Sequence, residues 1–195
     1  MMKKAEVQAM IEQWKYKKNV RLYTPFKYFK GFTTKKLVED KLEEMLRFRN
    51  QKDVSKLRFS TDQEIPRSSM RRSIYHQLFE SRYLIPSSSS LRDKAKVSGV
   101  SERILKTIFD KGVAAWKTGH RPGASAYQWG NARVDSFLVL GCTALSADAS
   151  LLHELWTRHR RTSKLQLFFQ QSPSCPAYKI RRYRTRSDFP FFLFE

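Results

Sequence analysis

Apolar residues recur at three- and four-residue spacings along much of the chain, which is the pattern of amphipathic helices. The clearest segment is Thr34–Arg49. Thr34 can accept a hydrogen bond from the first turn, and the acidic residues precede the terminal arginines, as the helix dipole favours. The predicted apolar stripe of this helix consists of Val38, Leu42 and Met45.

Similar patterns predict helices elsewhere, whereas two segments are predicted to adopt other conformations. Leu22–Phe32 alternates aromatic and basic residues and is predicted to be extended, and Leu165–Phe169 is predicted as a strand. One further helix begins at Ser101. The remaining predicted helices are Ala5–Lys17, Pro66–Tyr83 with Met70, Ile74 and Leu78 in line, Ser90–Ser98, Ser125–Leu138 and Asp148–Trp156.

These elements predict a mainly α protein. Four short helices in residues 90–157 suit one small core, in which Trp116 and Trp129 are expected to be buried beside small residues. The segment from Gly119 to Gly123 is predicted to form a rigid turn between two of the helices. The predicted divisions are a basic N-terminal arm with a short helix at 1–33, a helical segment and linker at 34–89, a compact helical domain at 90–157 and a basic aromatic C-terminal arm at 158–195.

Charge sharpens this division, because the net charge of +20 is concentrated toward the two ends. Residues 158–186 hold nine Lys and Arg and no acid, whereas residues 37–157 are nearly balanced. Such an excess opposes compaction and implies an acidic or polyanionic partner. The fold expected is therefore a small helical domain with a helix-turn-helix-like core, flanked by extended basic N- and C-terminal arms.

The residues that usually carry catalysis are sparse and scattered. The four histidines lie in no nucleophile or zinc motif, and no glycine-rich phosphate loop is present. Cys142 and Cys175 match no zinc spacing and are expected to be buried free thiols in a reducing compartment. We therefore predict a protein that is not an enzyme and that has no metal, cofactor or small-molecule substrate. No signal peptide or membrane span is predicted.

The spacing of Ala95, Gly99, Leu105 and Ile108 is typical of a helix-turn-helix, in which glycine permits the left-handed turn. A DNA-binding protein of this type would place the start of the second helix in the major groove. The same spacing also serves the core of any compact helical domain, so both interpretations stay open. The candidate DNA-reading residues are Glu102, Arg103, Lys106 and Thr107.

The C-terminal arm provides the second set of candidate binding residues. Its cations alternate with Tyr178 and Tyr183, a pattern that suits either phosphate contact with base stacking or insertion between acidic proteins. The last residues form an apolar cluster that is expected to anchor in a pocket on a neighbouring protein: Phe189, Phe191, Phe192, Leu193 and Phe194. The predicted polyanion- or partner-binding cations are Arg158, Arg160, Arg161, Lys164, Lys179, Arg181, Arg182, Arg184 and Arg186.

The segment Leu91–Leu151 resembles a domain of unknown function from nucleocytoplasmic large DNA viruses, such as chlorella-virus and mimivirus-like genomes, and from some phages. The resemblance is carried by Gly112, Ala115, Trp116, Arg121-Pro122-Gly123, Trp129-Gly130, Ala132-Arg133-Val134 and Ser136-Phe137. It implies a viral setting and supplies no catalytic residues.

Two classes of function are compatible with these features. The first is a virion structural protein, a minor capsid component of a large icosahedral double-stranded DNA virus that ties neighbouring capsid proteins together with its basic and aromatic arms. Its expected partners are capsid proteins with acidic or apolar pockets, and it would be found in the virion and, during assembly, in the host cytoplasm. The second is a DNA-binding protein, associated with the viral genome or of the helix-turn-helix type.

Overall fold

The computed structural model describes residues 2–53, 57, 59–61, 73–117, 124–159, 163–185, 187 and 190–193. Over these residues the protein is mainly helical, which confirms the prediction of a mainly α protein, and no strand occurs among them. None of the described helices is both long enough and apolar enough to span a membrane. The helices are α1 (Lys4–Lys18), α2 (Lys35–Phe48), α3 (Ile74–Tyr83), α4 (Leu91–Ser98), α5 (Glu102–Lys117), α6 (Ala126–Leu138), α7 (Ala149–His159), α8 (Ser163–Phe169) and α9 (Ala177–Tyr183).

The chain forms two compact units, each made of two stretches of sequence. Unit 1 comprises Met1–Arg71 and Val113–Trp129, and unit 2 comprises Arg72–Gly112 and Gly130–Glu195. Helices α5 and α6 therefore contribute residues to both units. These boundaries differ from the four consecutive segments expected from charge and periodicity, because contiguity in sequence does not decide which residues share a core.

Unit 1 is built around the packing of α1 against α2. The apolar stripe of α2 is fully buried, as predicted, and the hydroxyl of Thr34 accepts a hydrogen bond from the backbone N–H of Leu37 at 3.2 Å. The segment after α1 is not simply extended, since it contains a 3-10 turn at Phe26–Tyr28. The aromatic residues of that segment supply core instead: Tyr28, Phe29 and Phe32 are at most 3% exposed.

Trp116 is a core residue, although its core is that of unit 1 rather than that of residues 90–157. Its ring is 5% exposed and meets Phe59 edge-to-face at 5.3 Å, and its indole N–H donates to the carbonyl of Ala124 at 2.5 Å. Trp129 is half-buried against Tyr28 in the same unit. The small residues predicted as neighbours of the two tryptophans are wrong, because both rings pack on aromatic residues that are distant in the sequence.

Unit 2 holds the other apolar core, to which α3 to α8 all contribute. Ser90 caps α4 by accepting from the N–H of Asp93 at 3.1 Å, as the sequence predicts, and Gly99 ends that helix with a φ of 76°. The stripe predicted for α3 is wrong in one position, since Ile74 is 59% exposed while Phe79 is completely buried. Met70 lies outside the described residues.

The C-terminal segment is helical in its described part. Leu165–Phe169 belongs to α8 rather than to a strand, because the buried residues Leu165, Phe168 and Phe169 have helical spacing. Helix α9 follows at Ala177–Tyr183. The description of this segment as an extended arm therefore needs correction where the structure describes it, and α1 likewise occupies much of the predicted N-terminal arm.

The two cysteines form a disulfide, which corrects the expectation of free thiols. Cys142 and Cys175 have Cα atoms 4.7 Å apart although 33 positions separate them in the sequence. The N–H of Ser174 donates to the carbonyls of Val139 and Leu140, and these bonds bring Cys175 beside the turn that follows α6. The spacing of two cysteines could not reveal this, because the intervening helices α7 and α8 return the chain to the same place.

Candidate functional site

The start of α5, predicted to read DNA, is exposed but has carboxylate partners within the chain. The guanidinium of Arg103 lies 2.5 Å from Glu154, and the ammonium of Lys106 lies 2.5 Å from Asp110. Glu102 is 3.7 Å from Arg92. The hydroxyl of Thr107 donates to the carbonyl of Arg103. The charges of this surface are thus largely balanced before any ligand arrives.

The turn between α4 and α5 is covered by α8 of the same chain. A Cβ atom on Gly99 would lie 2.7 Å from the Cβ of Lys164, so glycine is required there both by its positive φ and by the close approach of α8. The ammonium of Lys164 donates to the carbonyl of Lys96 at 2.7 Å. Lys164, one of the predicted partner-binding cations, therefore has a contact that fastens α8 to α4.

Helix α9 has an inward and an outward side. Ile180 and Tyr183, three residues apart, pack against the core of unit 2 and are partly buried. Tyr178 is 64% exposed, and Arg181 and Arg182 are exposed as well. The structure thereby separates the two tyrosines that the sequence pattern treats alike: Tyr183 belongs to the core, and Tyr178 belongs to the surface.

The outward side of α9 is cationic. Among the described residues, no carboxylate pairs with Arg181 or Arg182. The ammonium of Lys179 lies 5.9 Å from the centre of the Tyr178 ring, and Arg184 is exposed beyond the helix. The other predicted cations, namely Arg160, Arg161, Arg186 and the side chain of Arg158, lie outside the described residues.

The apolar C-terminal cluster has an intrachain partner for part of its length. The ring of Phe192 stacks on Trp156 at 4.7 Å and lies 6.0 Å from Phe169, and Leu193 also packs against the core of unit 2. Two residues of the predicted anchor therefore pack within unit 2. Phe191 is 51% exposed. Phe189 and Phe194 lie outside the described residues.

A buried ion pair, absent from the sequence predictions, lies between α4 and α6. The Lys94 ammonium is 2.6 Å from one carboxylate oxygen of Asp135, and neither side chain is exposed to solvent. The other oxygen of Asp135 lies 2.6 Å from Nδ1 of His76, whose side chain is 16% exposed. The ammonium of Lys94 also lies 5.0 Å from the ring centre of Phe79. The ammonium of Lys94 is therefore fully engaged in contacts inside unit 2.

A second buried carboxylate, Asp148, is held by two cations. Arg133 donates to both of its oxygens at 2.8 and 3.0 Å, and Lys111 donates to one of them at 3.2 Å. The two N–H groups of the Arg133 guanidinium match the geometry of the carboxylate.

One sequence signal could have revealed the pair Lys94–Asp135. Both residues occupy positions on apolar helix stripes, where an unpaired charge would be costly.

Other sites offer less to a ligand. In the described part of the chain, no group of three or more His, Cys, Asp or Glu is placed to hold a metal ion. Two shallow depressions of about 560 and 450 Å³ lie along α2 in unit 1. The carboxylate of Glu44, which lines the larger one, accepts hydrogen bonds from Ser60 and Thr61. That acid is therefore already satisfied by the chain itself.

Comparison with known proteins places the chain in a family. The model of a family of unknown function, DUF5824, matches residues 25–151, which is more than half of the chain, and the protein therefore belongs to that family. Neither a curated protein nor a solved structure shows significant similarity to the chain.

Proposed function

We propose that this DUF5824 protein is a structural component of a virus particle, a minor capsid protein that joins acidic surfaces of neighbouring capsid proteins. The viral setting is the one implied by the resemblance of Leu91–Leu151 to a domain of large DNA viruses. The particle in this proposal is icosahedral and holds double-stranded DNA. The protein works by binding and not by catalysis.

The distribution of charge carries the proposal. The chain has 20 more cations than acids, and two of its buried acids, Asp135 and Asp148, already have cationic partners. The excess therefore remains on the surface, where Arg181 and Arg182 have no carboxylate among the described residues. A surface of this kind favours an acidic partner, because like charges repel until an anion covers them.

Two features suit a protein that joins neighbours. The chain forms two compact units, so that each can contact a different partner. In this proposal, the helix-turn-helix-like pair α4 and α5 is a scaffold, and the basic residues near both chain ends make the contacts. Among the described residues of the predicted apolar anchor, Phe191 has an exposed ring, whereas Phe192 stacks on Trp156.

The experiment that tests the role locates the protein in purified particles before and after the genome is removed with nuclease. We expect the protein to stay with the DNA-depleted shell and to cross-link to major capsid proteins. Phe191→Ser should lower its incorporation, whereas Tyr16→Ser, which changes an even more exposed aromatic ring, should not. Release of the protein together with the DNA would refute the capsid role.

DNA binding is the second candidate function. It is favoured by α9, whose exposed Tyr178, Arg181 and Arg182 provide a ring and two guanidinium groups. It is disfavoured at α5, where Arg103 and Lys106 are paired with acids. Release of the protein with nuclease-treated DNA is the result that this candidate predicts.

A further inference from the structure

The outward side of α9 brings one aromatic ring and two guanidinium groups onto a single surface. Tyr178, Arg181 and Arg182 are three and four residues apart, so that they lie on the same side of the helix. We infer that this surface binds an unpaired nucleic-acid strand, with Tyr178 stacked on a base and the two arginines on phosphates. The inference goes beyond the proposed capsid role and does not depend on it.

The exposure of Tyr178 points to bases that are not paired. Its ring is 64% exposed, and no residue of α9 is buried, so the ring contributes little to the core. An aromatic ring beside a cationic track is the common platform for single strands, because every base has a face that can stack. In a duplex those faces are covered by neighbouring base pairs, and only the phosphates would be available to this surface.

An acidic protein segment fits the same surface less well. Protein anchors usually fill pockets, whereas the ring of Tyr178 stands 64% exposed on the helix surface. The arginines face no internal acid in the described chain, so their full charge is available to phosphates. Lys179, whose ammonium lies 5.9 Å from the centre of the Tyr178 ring, adds a third cation to the same helix.

The helix is held in place by its inner side and by the disulfide. Ile180 and Tyr183 pack on the core of unit 2, and Cys175 stands immediately before Pro176, where α9 begins. The bond to Cys142 therefore fixes the start of the helix. A surface fixed in this way loses less conformational freedom when a ligand binds than a mobile arm does.

The test is fluorescence anisotropy of the full-length, oxidised protein with three labelled probes at several salt concentrations. The probes are a DNA strand about 12 nucleotides long, the corresponding duplex and an abasic strand of equal length. We expect the single strand to bind most tightly. Tyr178→Ala should weaken that binding about tenfold and Tyr178→Phe should not, because the phenyl ring still stacks.

The double variant Arg181→Ala/Arg182→Ala should weaken binding of the single strand. It should also make the slope of log K against log salt concentration shallower by about 1.4, or about 0.7 for each phosphate contact. The matched control is Lys35→Ala with Lys36→Ala, which removes the same charge from two exposed residues of unit 1. The control should change single-strand binding much less. Circular dichroism melting curves establish that each variant is folded.

Four results would overturn the inference. They are equal affinity for the abasic and normal strands, equal or tighter binding of the duplex, no effect of Tyr178→Ala, and an equal effect of the lysine and arginine pairs. A fifth such result is displacement of the strand by polyglutamate of equal charge, which would identify a general anion surface. The capsid proposal is judged by a separate measurement, the incorporation of the protein into particles.

Discussion

The buried pair Lys94–Asp135 permits a quantitative test of how unit 2 is stabilised. Asp135→Asn preserves the shape of the side chain and removes its charge, which leaves the ammonium of Lys94 completely buried without a counterion. Breaking a buried pair in this way costs about 3–5 kcal/mol. Since whole domains are stable by only about 5–15 kcal/mol, the loss should be a large share of the total.

A surface pair of almost the same length provides the control. Lys106 and Asp110 are 2.5 Å apart, but their side chains are 60% and 56% exposed. Asp110→Asn should therefore cost only about 0.3–0.5 kcal/mol, because water and salt screen an exposed pair. The two substitutions make the same chemical change at nearly equal distances, so any difference between them reports burial.

The assay is urea denaturation followed by circular dichroism and by tryptophan fluorescence, in which Trp156 is the one tryptophan of unit 2. Lys94→Met alone should also destabilise the protein, by leaving Asp135 with His76 as its remaining partner. The double variant Lys94→Met/Asp135→Asn should lose less than the sum of the single losses. Additive losses, or equal effects of Asp135→Asn and Asp110→Asn, would refute the reasoning.

Two further predictions concern the disulfide and Tyr83. Cys142→Ser/Cys175→Ser should lower the free energy of unfolding by about 3–4 kcal/mol for a loop of this length, and the native protein should show no alkylatable thiol until it is reduced. Burial raises the pKa of Tyr83, whose hydroxyl donates to the carbonyl of Leu138. Its contribution to stability is therefore complete below about pH 10 and is lost as pH rises above that value, because the unfolded state ionises first. Denaturation curves at about pH 9 and 11 should show a smaller alkaline loss of stability for Tyr83→Phe than for the wild type.

Elements whose signals are local were predicted well from the sequence. In α2, the structure reproduces both the cap at Thr34 and the apolar stripe. The start of α6 is similar, because Ser125 accepts from the N–H of Gln128 and the Gln128 side chain accepts from the N–H of Ser125. Such contacts span only three or four residues, so a single sequence contains the information needed.

Features that depend on distant residues were missed or misplaced. Trp116 is apolar and lies on a helix, which predicts burial, but only the tertiary structure reveals that Phe59 is its neighbour. Leu165–Phe169 is too short for periodicity to distinguish a strand from a helix, and packing of α8 against α4 decides the outcome. Gly99 was predicted for its left-handed turn, whereas its contact with Lys164 could not be foreseen.

A count of charges in the sequence reveals how many cations the candidate site has, but not which of them are available to a partner. The sequence assigns equal weight to Lys94, Lys164 and Arg181. Lys94 is buried against Asp135, and Lys164 donates to a backbone carbonyl of α4. Arg181 is exposed, and no carboxylate in the described part of the chain pairs with it. Only cations of the last kind are available to a partner, since the others would have to break an internal contact first. A partner of this protein is therefore best identified by loss of binding when residues of α9 are substituted. Binding that merely follows the net charge of the chain does not identify it.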